Sequence, residues 1–72
     1  MEKAKRIIKE CTTYVRASLR DMMKYLKEKD FANARIEAED ALEKLVWICE
    51  EIEILCRLRE LLDYKDKDKH ES

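Results

Sequence analysis

From residue 2 to residue 28, apolar and small side chains recur at Ala4, Ile7, Ile8, Cys11, Tyr14, Val15, Ser18, Leu19, Met22, Tyr25 and Leu26. The steps are mostly three and four, so these positions gather on one helical face, a stripe roughly 140° wide at about 100° per residue. A second series follows at Ala34, Ala38, Ala41, Leu45, Ile48, Ile52, Leu55 and Leu62, with one missing step at Arg59. It predicts a helix over 31–63, roughly 50 Å long at about 1.5 Å per residue. A helix of that length does not bury its own apolar face, so something must pack along it.

Between the two series lies the polar run Lys27-Glu28-Lys29-Asp30. Continuing the first stripe from Met22 and Leu26 leads to Lys29, Asn33 and Asp40, whereas the second stripe starts afresh at Phe31 and Ala34. The break in phase argues against one unbroken helix. Asp30 suits an N-cap, since its carboxylate can accept from the free amides of the next turn. No Gly stands at the end of the first helix, where helices often use one; a continuous helix is therefore the alternative. The expected fold is all-α, a two-helix antiparallel hairpin with helices at about 2–28 and 31–63. Folding back at 29–30 sets Cys11 opposite about Cys49, Tyr14 near Val46 and Met22 near Ala38. Ala32, Ala34, Ala38 and Ala41 would let the helices approach closely near the turn. The alternating charges of 64–72 have no apolar partners and are expected to form a disordered tail.

The second helix carries more apolar surface than one neighbour covers. Trp47, Ile54, Leu58 and Leu61, with Ile36 further up, lie well over 90° from the main stripe, and Val46 sits to one side. From Leu45 to Cys49 five consecutive residues are apolar. A helix apolar nearly all round is normally buried on more than one side. We therefore expect an interface at Val46, Trp47, Ile54, Leu58 and Leu61. Two hairpins packed face to face would make a four-helix bundle. The expected partner is a second copy, as a homo-oligomer with the dimer first, or another helical protein.

Composition sharpens this picture. Seventy-two residues make one domain at most. Zero Gly and zero Pro argue for nearly continuous helix. There is no Gln and a single Asn, Asn33, while Lys and Glu abound; that bias matches proteins from hot environments. No stretch has the 18 or so uncharged apolar residues of a membrane span, and MEKAKRIIKEC lacks a signal-peptide core. The expectation is a soluble cytoplasmic protein. The net charge of −1 is unevenly divided. Residues 1–29 hold nine Lys/Arg against four Asp/Glu, a balance of +5; residues 30–63 hold four against ten, a balance of −6. A basic helix beside an acidic one suits side-by-side packing.

Little here points to chemistry. The soft metal ligands are Cys11, Cys49, Cys56 and His70, without CxxC-type spacing, so no metal site is expected. The cysteines read as small core residues, although Cys11 and Cys49 could lie close enough to oxidise to a disulfide. The pairs Glu37/Asp40, Glu39/Glu43 and Glu50/Glu53 have helical spacing, but no His lies on either helix to complete a di-metal carboxylate set. They read as a solvated face with ion pairs such as Asp40–Lys44 and Glu53–Arg57. With no Gly-rich phosphate loop and no nucleophile–base pair, neither catalysis nor a cofactor is expected. The most functional-looking polar feature is a basic stripe at Lys5, Arg6, Lys9, Arg16, Arg20, Lys24 and Lys27. It could bind nucleic acid or another anionic surface, or be a plain solvated face, since no aromatic lies among these residues to stack on bases.

The stretch from Asp21 to Ala34, followed by Ala38, Ala41 and Leu45, resembles a small archaeal helical-hairpin family of unknown function. The shared features are an Asp, an aromatic-Leu pair at Tyr25-Leu26, an Asp-aromatic turn at Asp30-Phe31 and an Asn-Ala step at Asn33-Ala34. Lys29 stands where that family has Gly. The resemblance implies a cytoplasmic archaeal protein, a helical hairpin and no assigned activity. Leu26 to Ala34 is also similar to one unit of a tetratricopeptide repeat. Ala34-Arg35-Ile36, Ala38-Glu39 and Ile54-Leu55-Cys56, with a basic first helix beside an acidic second, are similar to the Ist1-like branch of the ESCRT-III proteins. That likeness would imply membrane remodelling.

Overall fold

The computed structural model describes the backbone of residues 2–71 and the side chains of residues 2–64. Two helices, α1 (Glu2–Lys27) and α2 (Phe31–Glu71), form an antiparallel hairpin. The rod measures 65 × 16 × 13 Å. Neither helix contains Gly or Pro, and most positions are good helix formers, so nothing within them interrupts the ladder. Thr12 and Thr13, the weaker formers in α1, donate their hydroxyls to the carbonyls of Ile8 (2.7 Å) and Lys9 (3.0 Å). The backbone of α2 runs on to Glu71, past the expected end at 63. Of the charged tail expected over 64–72, the side chains of 65–72 lie outside the described residues.

Three residues reverse the chain. Asp30 N–H donates to the Tyr25 carbonyl (2.9 Å) and Lys29 N–H to the Leu26 carbonyl (3.1 Å). This nested pair, 6→1 around 5→2, is a Schellman C-cap. It requires a left-handed residue at its centre, and Lys29 takes that role with φ of 59°. Asp30 then caps α2. One carboxylate oxygen accepts from Asn33 N–H (3.3 Å), the other from the Asn33 amide (2.7 Å), and its carbonyl accepts from Ala34 N–H (3.1 Å). The hairpin is thus closed by a side-chain cap on one helix and a strained Lys on the other.

The seam is built from small residues. Ala4, Cys11 and Ser18 are buried on α1 at seven-residue intervals, with Val15 between them; Ala34 (4% exposed) and Ala41 (3%) are buried on α2. A repeat of seven keeps one line facing the partner as the helices coil round each other, and small side chains let the backbones come close. Tyr25, Ile48 and Leu55 continue this line and are half-buried, as are Ile7, Ile8, Met22 and Ala38 beside it. No large side chain is fully buried among the described residues. Tyr14, Leu19, Leu26, Leu45 and Ile52, expected in the stripes, are exposed, because the contact line is narrower than the apolar stripe on either helix.

The helices differ in reach. By length α1 spans about 39 Å and α2 about 61 Å. Ala4 and Ile7 share a groove with Glu51 and Ile54, so α1 stops alongside roughly residue 57 of α2. Beyond that point Leu58, Leu61, Leu62 and Tyr64 are exposed on a single helix.

A left-handed Lys costs about 1 kcal/mol relative to Gly. Lys29→Gly should therefore raise the unfolding free energy by roughly 0.5–1 kcal/mol, and Asp30→Ala should lower it by about 1 kcal/mol. Urea denaturation at one fixed protein concentration checks both signs. A destabilised Lys29→Gly chain would contradict the cap geometry.

Candidate functional site

The two sides of the hairpin are chemically different, and one contact shows which side is which. The Lys44 ammonium on α2 lies 5.0 Å from the ring centroid of Tyr14 on α1 and 4.0 Å from that of Trp47. Tyr14 is three residues after buried Cys11, and Lys44 three after buried Ala41. Positions three after the seam thus share one flank of the hairpin. Positions one after it, rotated by about 100° the other way, share the opposite flank.

The flank carrying Lys44 is polar and aromatic. Lys44 bridges rings from both helices, a cation–π clasp across the seam. Its expected pairing with Asp40 is replaced by this clasp: the ion pairs among the described residues are Arg20–Asp21, Arg35–Glu39, Arg57–Glu53 and Arg59–Asp63. The expected Glu53–Arg57 pair is present, at 2.8 Å. Glu10, Cys11, Tyr14, Lys44 and Trp47 line an open groove of about 200 Å³. A second open groove of about 260 Å³ lies between Lys3, Ala4, Ile7, Glu51 and Ile54. Both are shallow and charged at the rim.

Val46, Trp47, Ile54, Leu58 and Leu61 are all exposed, Trp47 at 46%. They do not make one unbroken patch. Val46 sits about 100° from Trp47, with Glu43 and Glu50 in the arc between them by the helical period. Ile54 shares its surroundings with Glu50, Glu53 and Arg57, and Leu58 and Leu61 lie on the overhang.

The opposite flank is dry in composition. On α1 the positions one after the seam are Thr12, Leu19 and Leu26; on α2 they are Leu42, Cys49 and Cys56. Four after the seam come Ile8, Val15 and Met22 on α1, then Ala38, Leu45 and Ile52 on α2. None of these carries a charge; the flank's charged positions lie towards its ends, at Lys5 and Arg35 one after Ala4 and Ala34 and at Arg59 four after Leu55. Leu42 is 62% exposed, and Leu19, Leu26, Leu45, Cys49 and Ile52 are exposed as well. This face, built by both helices, does not stand out when each helix is read alone. Its signal was present in the seven-residue spacing of Leu19 with Leu26 and of Leu42 with Cys49. Recognising it needs the register between helices.

All three cysteines are free, Cys11 buried and Cys49 and Cys56 exposed. The structure holds Cys11 and Cys49, the pair that could oxidise, as free thiols. Cys11 lies on the seam and lines the Trp47 groove, while Cys49, one residue past the seam, belongs to the other flank. Among the described residues no group of three or more His, Cys, Asp or Glu could hold a metal ion, and no helix is long and apolar enough to cross a membrane. His70 lies outside the described side chains. Lys5, Arg6, Lys9, Arg16, Arg20, Lys24 and Lys27 are all exposed.

Lys44→Met keeps the aliphatic stem and removes the charge. It should cost about 0.5–1 kcal/mol of stability, whereas Asp40→Asn should change it by less than about 0.5 kcal/mol. Denaturation followed by Trp47 fluorescence measures both; equal effects would count against the clasp. No protein-family model, curated protein or solved structure matches this chain.

Proposed function

We propose that this hairpin is a non-catalytic protein–protein interaction or assembly module that associates with itself, with α2 supplying much of the association surface. The observation that supports this reading is surface area. The chain exposes 6324 Å². A compact monomer of 8.7 kDa exposes about 4,700 Å², so the excess is roughly 1,600 Å². Much of it is apolar: sixteen large hydrophobic side chains are exposed among the described residues, far more than scattered surface hydrophobes require. Part of the excess belongs to the overhang and part to the flanks of the hairpin.

A second reading is favoured by a separate observation. Seven basic residues of α1 stand exposed, and among the described residues only Arg20 of these seven has a carboxylate partner, at 3.9 Å in Asp21. Such a stripe suits phosphates of nucleic acid or another anionic surface. Two measurements separate the readings. Sedimentation equilibrium across the micromolar range should give a mass above one chain, and a monomer throughout would remove the first reading. A gel shift with mixed RNA and DNA at low salt should show no retardation. Salt-sensitive retardation abolished by Arg16→Glu with Arg20→Glu would turn the choice to the second.

A further inference from the structure

Resting on the self-association reading above, we propose that the partner is a second copy of this chain. It docks on the uncharged flank of Leu19, Leu26, Leu42, Leu45, Cys49 and Ile52, with the two-fold axis parallel to the helices and both turns at one end.

Three observations on the hairpin support this choice. The first is the occupancy the flank demands. It is lined from Ile8 to Leu26 on α1 and from Ala38 to Cys56 on α2 without a charge at positions one or four past the seam. The other flank, by contrast, carries Glu10, Asp21, Lys24, Glu37, Asp40, Lys44 and Glu51 at equivalent positions. Charges are depleted at the centre of protein interfaces, so the dry flank has the composition of one and the Trp47 flank does not. The second is area. A standard interface takes about 800 Å² from each partner, which is within the roughly 1,600 Å² by which this chain exceeds a compact monomer.

The third is charge, and it selects the symmetry. Five past the seam, at the edges of the dry flank, α1 carries Lys9 and Arg16 while α2 carries Glu39 and Glu53. One long edge is basic; the other carries the carboxylates Glu39 and Glu53, which also pair with Arg35 and Arg57 one turn away. Two hairpins stacked on this flank can be related by an axis perpendicular to the helices, which lays α1 over α1 and basic edge on basic edge. An axis parallel to the helices instead lays α1 over the second copy's α2, so each basic edge meets an acidic one. The parallel axis is the one without like-charge contact. Every neighbouring pair in the four-helix bundle is antiparallel under either axis, so charge alone makes the choice. At that register Leu19 of one copy comes within about one helical turn of Leu42 of the other, because the turn sets residues near 19 and 40 at the same height in each.

The test uses the full chain. Leu19→Glu with Leu42→Glu, both at exposed positions outside the hairpin seam, should retain the helical circular dichroism and weaken dimerisation about a hundredfold or more. Trp47→Glu should leave the dimer intact. A dimer that survives the leucine pair but is split by Trp47→Glu overturns the proposed face and leaves self-association standing. A monomeric native chain overturns both. Cys49 probes the same face without a variant, through maleimide labelling followed by peptide mass. Labelling should be slow in the dimer and fast on dilution, and a rate independent of concentration overturns the face. The axis is read from nitroxide labels on Lys29→Cys in a chain whose Cys11, Cys49 and Cys56 are replaced by Ala. Turns at one end put the labels within about 25 Å, whereas opposite ends put them roughly 40 Å apart, the length of α1. The longer distance overturns the axis.

Discussion

The structure depends on a seam too small to shelter the side chains around it. Ala4, Cys11 and Ser18 line the seam on α1 and Ala34 and Ala41 on α2, and such residues let two helices lie close together. Close approach brings backbones into dispersion contact, but it buries little apolar area per residue, and burial is the dominant favourable term in folding. The large side chains are displaced to the flanks, where two helices alone leave them exposed. Everything distinctive about the surface follows from that arrangement. A wider seam of Leu and Ile would have put the same bulk inside and left a self-sufficient, if small, rod.

The turn works with similarly few parts. A Gly at position 29 would fit the left-handed conformation without cost; the chain uses Lys there at φ of 59° and offsets the loss through Asp30, which satisfies Asn33 twice and starts α2 with its carbonyl. The register that this turn imposes is what brings Cys11 beside Trp47 and places Leu19 level with about residue 40. A slip of one residue would rotate each helix by about 100° and break up both flanks. The turn and the Lys44 clasp act together here, one at the end of the hairpin and one near the middle of α1.

Much of the fold was legible in the sequence. The phase break between Leu26 and Phe31 marked the reversal, Asp30 announced the cap by its chemistry, and the three-four steps drew both helices. What could not be read was which residues of a broad stripe are seam and which are flank. Leu19, Leu26, Leu45 and Ile52 have the same periodic credentials as Val15 and Ala41; only the distance between backbones decides which are covered. The Trp47 stripe drew attention because Trp is large and rare, yet its neighbours include Glu43, Glu50 and Glu51, and Lys44 lies over its ring. Lys44 itself misled for a local reason. Asp40 is a sound partner at one helical turn, but exposed pairs of that kind are worth little, and two aromatic faces within 5.0 Å offer the ammonium more.

The contrast between the flanks bears on what an association module of this size can be. A hairpin with two greasy sides would have no reason to stop at a pair and would be exposed to open-ended stacking. In the proposed pair, charge on the Lys44 side would oppose a second apolar contact, and the basic edges would penalise the wrong stacking on the first. Neither device contributes much to stability, since both lie in solvent, but each lowers the number of competing arrangements. The overhang is the part these devices do not manage. Leu58, Leu61, Leu62 and Tyr64 extend past the start of α1 on one helix, and two copies with their turns at one end would project two such segments side by side in the same direction. In such a pair the apolar surface that the hairpin cannot cover would be concentrated at a single end.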